Sequence, residues 1–102
     1  MPPAPFNANA FLYLVKGITV PGTAEQVDAY AIPDGLDVTL TARRSNSQNI
    51  YLGDTAANAI GTNRKVLVPG ASTVLSIDDT NRLWFDADSA ADRLEITVQR
   101  DA

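Results

Sequence analysis

The sequence predicts an all-β fold, an antiparallel β-sandwich or a small jelly-roll-like barrel with an extended N-terminal arm. Short runs in which apolar and polar residues alternate predict strands with one buried face. Turn signals such as Pro21-Gly22 and Pro33-Asp34-Gly35 separate these runs at short intervals. No window has the apolar spacing of a long helix: the best stretch, Ala56 to Ile60, ends at Gly61 and supports at most one short turn.

Seven or eight segments have the composition of strands. In residues 36–43, Leu36, Val38 and Leu40 alternate with polar residues, and residues 93–100 alternate in the same way. In residues 82–87 the same alternation places Leu83 and Phe85 on one face. The predicted strands cover residues 11–20, 24–32, 36–43, 50–53, 64–68, 73–77, 82–87 and 93–100.

The chain divides into an arm and one domain. Its 102 residues suit a single hydrophobic core, and 45% apolar with 20% charged residues is typical of a folded domain. Residues 1–10 contain three prolines, which fix φ and remove backbone donors, so we expect an extended arm before a β-sandwich domain at 11–102. The arm either frays or orders against a neighbouring subunit, with Phe6 as its anchor.

The composition excludes several classes of chemistry. The chain contains no histidine and no cysteine, which excludes Ser-His-Asp catalysis, thiol nucleophiles, disulfides and thiolate or imidazole metal sites. A net charge of −4 argues against nucleic acid as a partner, because phosphate binding requires clustered Lys and Arg. The longest apolar run is too short to span a bilayer, and the first residues do not resemble a signal peptide, so we expect no membrane partner and synthesis in the cytoplasm.

The segment NRLWFDADSAADRLEITV (81–98) concentrates carboxylates around the only tryptophan. Alternation places Trp84 and Asp86 on the face opposite Phe85. An indole beside carboxylates is suited to stacking on a sugar, and Asp86 with Glu95 would be the acid/base pair of a glycosidase. The simpler interpretation is a soluble hairpin loop surrounded by Asp86, Asp88, Ser89 and Asp92. Trp84 on the outer face would then pack against another protein or cover the end of the sheet.

Metal and cofactor motifs are weak. Several hard oxygen donors suit calcium, but their spacing matches no EF-hand loop, so no metal site is assigned. They are Asp78, Asp79, Asn81, Asp86 and Asp88. Neither glycine pattern of nucleotide-binding loops occurs, and no cofactor is predicted. Gly53 indicates a backbone that requires positive φ or space at a strand end.

Several short motifs follow one another in a familiar order. They are Pro33-Asp34-Gly35, Ala42-Arg43, Asn49-Ile50-Tyr51-Leu52-Gly53-Asp54, Pro69-Gly70, Ile77-Asp78-Asp79 and Leu83-Trp84-Phe85. Over residues 23–98 this order resembles small virion proteins of tailed bacteriophages. The proline-rich arm is longer than that pattern requires.

The resemblance implies a β-sandwich capsid decoration (cement) protein without enzymatic activity, located on the capsid surface of the virion. It further implies that the protein binds the major capsid protein, as a trimer over a local three-fold axis. A tail, fibre or head-tail joining component, a carbohydrate-binding module and a small glycosidase are the alternatives.

Partner-binding residues are predicted among the aromatic side chains. Buried aromatic residues dominate interface energies and are each worth about 2 kcal/mol or more when central. The predicted contacts are Phe6, Phe11, Tyr13, Tyr51 and Trp84.

Overall fold

The computed structural model describes residues 11–33 and 35–100. Within them, two four-stranded antiparallel sheets pack into a sandwich, which confirms the all-β prediction. The strands are β1 (Phe11–Lys16), β2 (Glu25–Gln26), β3 (Leu36–Ala42), β4 (Ile50–Gly53), β5 (Lys65–Leu67), β6 (Ser72–Leu75), β7 (Trp84–Ala87) and β8 (Leu94–Arg100), with a helix α1 (Ala56–Ile60) and a 3-10 turn at Thr80–Arg82. The predicted arm, residues 1–10, lies outside the described residues. No helix in the described part of the chain is long and apolar enough to cross a membrane.

The strand order is that of a jelly roll. The first sheet has the order β1-β8-β3-β6 and the second has the order β2-β7-β4-β5. The pairs β1 with β8, β2 with β7, β3 with β6 and β4 with β5 are nested, as in one long antiparallel hairpin rolled into two sheets. Each sheet therefore has two edges, β1 and β6 in the first sheet and β2 and β5 in the second.

The core lies between the two sheets and follows the alternation in the sequence. In β3 every second residue from Leu36 is buried, and the register places Val38 opposite Val98 and Leu40 opposite Ile96. The second sheet contributes Phe85, which is fully buried. Burying one such side chain stabilises the fold by roughly 1.5–3 kcal/mol.

Gly53 provides space for α1. Its φ is not positive, unlike those of Gly22, Gly35 and Gly70, so the expectation of a special backbone conformation at Gly53 is wrong and the expectation of space is right. A Cβ on Gly53 would lie 2.7 Å from the carbonyl carbon of Asn58 and would also collide with the backbone nitrogen of Ala59. The helix therefore rests directly on the end of β4.

Two buried polar residues join the β3–β4 connection to the start of β8. The carboxylate of Asp92 accepts hydrogen bonds from the backbone N–H groups of Ser47 (2.9 Å) and Gln48 (2.8 Å). The side-chain amide of Asn46 donates a hydrogen bond to the backbone carbonyl of Arg93 and accepts one from the backbone N–H of Arg93. Both hydrogen bonds are 2.8 Å long. Asp92 is buried, so its assignment to a soluble turn is wrong: the carboxylate fastens a loop.

Candidate functional site

The outer face of the first sheet carries an ordered polar cluster. Tyr13 Oη donates to Glu95 Oε2 at 2.9 Å, and Arg43 Nε donates to the same oxygen at 3.0 Å. The hydrogen bond from Tyr13, followed by that from Arg43, lowers the pKa of Glu95 below its ordinary value. Tyr13 stays 47% exposed, so a predicted contact residue presents its ring to solvent in a fixed orientation.

This cluster predicts a specific acid sensitivity. Because the folded-state pKa of Glu95 is depressed, its contribution to stability is present above the unfolded pKa of about 4.3 and is lost as pH falls through the folded pKa. We expect Glu95→Gln to be less stable than the wild type at pH 7, with the difference shrinking towards pH 3. Urea unfolding at both pH values measures it. Tyr13→Phe, which removes one donor to Glu95, should also lower the stability at pH 7 more than at pH 3. A stability difference between wild type and Glu95→Gln that does not change with pH would contradict the assignment.

Trp84 lies on the outer face of the second sheet, as the alternation predicted. It stands between Gly53 of β4 and Gln26 of β2 in the register and is half-buried. Its neighbour Asp86 is only 3% exposed and accepts a hydrogen bond from Gly22 N at 2.9 Å. A sugar stacked on Trp84 would therefore find the nearest carboxylate on its strand buried and already bonded.

The proposed glycosidase pair is wrong. Glu95 belongs to β8 and shares the outer face of the first sheet with Tyr13, whereas Asp86 belongs to β7 and lies opposite Tyr51 in the second sheet. The core separates these two faces, and packed sheets alone are about 10 Å apart. Glycosidase carboxyl groups lie about 5–9.5 Å apart around one substrate, which this arrangement does not allow.

Tyr51 is covered by its own chain. It is 5% exposed, its Oη donates to Asp88 Oδ2 at 2.6 Å, and the Arg64 guanidinium lies 3.7 Å from the ring centroid. The hydrogen bond to Asp88, together with burial, raises the pKa of Tyr51. As a predicted contact residue it therefore offers a partner little of its ring.

Two other predicted contacts fall at the limit of the structure. Phe6 lies outside the described residues, and for Phe11 the structure describes the backbone at the start of β1 only.

The carboxylates considered for calcium have separate partners. Asp78 pairs with Arg82, and Asp79 accepts from the backbone N–H groups of Tyr30 and Asn81. Asp86 and Asp88 bond to Gly22 and Tyr51 as described above. Among the described residues, no three acidic side chains converge as a metal site would require.

An exposed apolar surface beside β5 was missed by the sequence reasoning. Ile60 at the end of α1 is 47% exposed and Val66 in β5 is 46% exposed. With Gly61, Thr62 and Arg64 they line an open hollow of about 400 Å³. Val68, also exposed, follows two residues later. We call Ile60, Val66 and Val68 the β5 patch.

The β5 patch has a signal in the sequence. Residues 65–68 read Lys-Val-Leu-Val, and Leu67 is buried. Because neighbouring residues of a strand point to opposite faces, Val66 has to lie on the outside if Leu67 is in the core. Both valines of the run, Val66 and Val68, are therefore apolar residues that the core does not use.

A second apolar cleft opens between the edges of the two sheets. It has a volume of about 360 Å³ and is lined mainly by Leu52, Leu75, Ile77 and Leu83. Lys65 and Arg82 contribute positive charge to its wall. The cleft is more enclosed than the hollow at the β5 patch. Its apolar side chains belong to the core or pack against it.

No protein-family model matches this chain, and no curated protein and no solved structure matches it either.

Proposed function

We propose that this protein is a structural component of a tailed-phage virion, a decoration protein that binds the major capsid protein and stabilises the head shell. Support comes from the eight-stranded jelly-roll order, an architecture that viral capsid domains and lectins share. The motif order over residues 23–98 resembles phage virion proteins and points to the first of these two uses. The lectin use has less support, because the carboxylate beside Trp84 is buried.

Fold alone does not define a function, so the proposal also needs a surface. The observation that carries it is the β5 patch, in which exposed apolar side chains gather around an open hollow on a 102-residue protein. Clustered exposed apolar residues mark contact sites for other macromolecules more often than isolated ones do. The patch lies at the edge strand β5 of the second sheet, and its side chains are exposed. A shell surface can therefore contact it without any rearrangement of the core.

A charge in the hollow should abolish attachment. We expect Val66→Asp to reduce the number of copies bound per shell by at least about tenfold, since a desolvated carboxylate costs more than 1.4 kcal/mol. The assay mixes purified protein with undecorated heads of the phage whose genome carries this gene and counts bound copies after sedimentation. Val66 is on the outside, so the thermal unfolding midpoint should change little.

Val74→Asp is the matched control. Val74 is 57% exposed on β6, in the other sheet, and the same substitution there should leave binding intact. Equal loss in both variants would contradict the β5 patch as the contact. Wild-type protein that binds no head at all would contradict the proposed function.

Electron microscopy with a labelled chain separates the virion alternatives. A decoration protein labels the whole head lattice, a joining protein labels one vertex, and a tail or fibre component labels neither.

A further inference from the structure

Among the described residues, β1 is the longest of the four edge strands. It has six residues, FLYLVK, with β8 on one side and no strand on the other among the described residues. The other edges are shorter, with two residues in β2, three in β5 and four in β6. An edge strand exposes a row of unpaired N–H and C=O groups, and proteins usually protect it with proline, with charges or by keeping it short. β1 contains no proline, and its only charge is at its last residue, Lys16.

We propose that β1 pairs with β1 of a second copy of this chain, antiparallel and about a two-fold axis, so that two first sheets join into one eight-stranded sheet. This inference is independent of attachment to a head, which uses the second sheet. A second copy fits this edge because exposed side chains of β1 form favourable cross-strand pairs with one another, and the single charge of the strand meets no like charge.

The proposed register has Leu14 at the two-fold axis. A two-fold axis perpendicular to the sheet keeps each residue on its own face, so outer residues of one copy stand opposite outer residues of the other. With Leu14 opposite Leu14 of the second copy, Tyr13 stands opposite Val15 of the second copy. Both residues are exposed on the outer face of the isolated chain. Aromatic and β-branched residues are a favourable cross-strand pair.

Charge repulsion does not oppose this arrangement. In this register the two Lys16 residues lie on opposite sides of the axis, offset by about 13 Å along the strands. That offset exceeds the Debye length of about 8 Å at physiological ionic strength. Each lysine is also paired within its own chain, with Lys16 Nζ 2.8 Å from Asp28 Oδ2. Antiparallel pairing therefore adds backbone hydrogen bonds without bringing like charges together.

Single-cysteine variants test the register directly, because the chain has no cysteine of its own. Directly opposed residues of antiparallel strands have Cα atoms about 4.5–5.5 Å apart, which a disulfide can bridge. We expect an equal mixture of Tyr13→Cys and Val15→Cys to form the mixed disulfide under mild oxidation. Tyr13→Cys alone should cross-link slowly, since its two Cα atoms are about 8 Å apart on the diagonal.

Val74→Cys is the matched control, with an exposed valine on the opposite edge of the same sheet. It should give no cross-link above the level expected from random collision. The wild-type chain, measured by sedimentation equilibrium, should have the mass of two copies. The mass of one copy, or of the three copies implied by the virion resemblance, would overturn the proposal. Faster cross-linking of Tyr13→Cys to itself than to Val15→Cys would overturn it as well.

Discussion

Asp92→Ala should lower the free energy of unfolding by about 2–3 kcal/mol, a large share of the 5–15 kcal/mol typical of a domain. The carboxylate accepts backbone hydrogen bonds from Ser47 and Gln48 and is itself buried. Hydrogen bonds to a charged group contribute more than neutral ones, and their loss leaves two N–H groups without their partner. In a domain of this size the change corresponds to a fall in Tm on the order of 10–15 °C.

Asp28→Ala is the control for the same change of side chain. Asp28 also holds a partner, Lys16, but its side chain is 65% exposed. Exposed ion pairs contribute about 0–1 kcal/mol, so its Tm should change by no more than a few degrees. Asp92→Asn should fall between the two, because the amide keeps one acceptor oxygen and turns a donor towards the other N–H. If Asp92→Ala and Asp28→Ala lose the same small amount, the carboxylate is solvated and does not hold the loop.

Local periodicity predicted the strands because each strand has one face in the core. The alternation in residues 36–43 and 93–100 became the paired strands β3 and β8, whose buried residues are those that the pattern selected. The strand predicted over residues 24–32 is much shorter in the structure, where only Glu25–Gln26 form a strand. Beyond Val27 the residues from Asp28 to Ala31 are exposed, so no core contact holds that segment in a sheet.

The alternating pattern does not predict which loops and side chains cover the residues that face away from the core. Asp86 and Asp92 are buried by backbone N–H groups that lie 64 and 45 residues away in the sequence, at Gly22 and Ser47. Tyr51 is covered by Arg64, which follows α1 in the sequence. An alternating pattern identifies which side of a strand faces the core, but it contains no information about which loop returns to the opposite side. Carboxylates in a turn-rich segment therefore looked solvated.

Gly53→Ala should displace α1 and destabilise the fold. The new Cβ would collide with the backbone of Asn58 and Ala59, and backbone atoms cannot move aside as a flexible side chain can. Because φ at Gly53 is not positive, alanine fits the strand conformation and the entire cost comes from the collision. Overpacking of this kind costs about 1–3 kcal/mol, and we expect the upper end because α1 has to shift as a unit.

Trp84 reports this shift. It is the only tryptophan, it stands opposite Gly53 in the register, and α1 packs against both β4 and β7. Displacing the helix should expose the indole and move its fluorescence emission to longer wavelength in the folded protein, before any denaturant is added. Gly70→Ala is the matched control, because Gly70 has a φ of 87° with nothing within 4 Å of an added Cβ. That variant should lose about 1–2 kcal/mol through backbone strain with no change in emission. A Gly53→Ala protein with unchanged stability and emission would show that α1 does not rest on the end of β4.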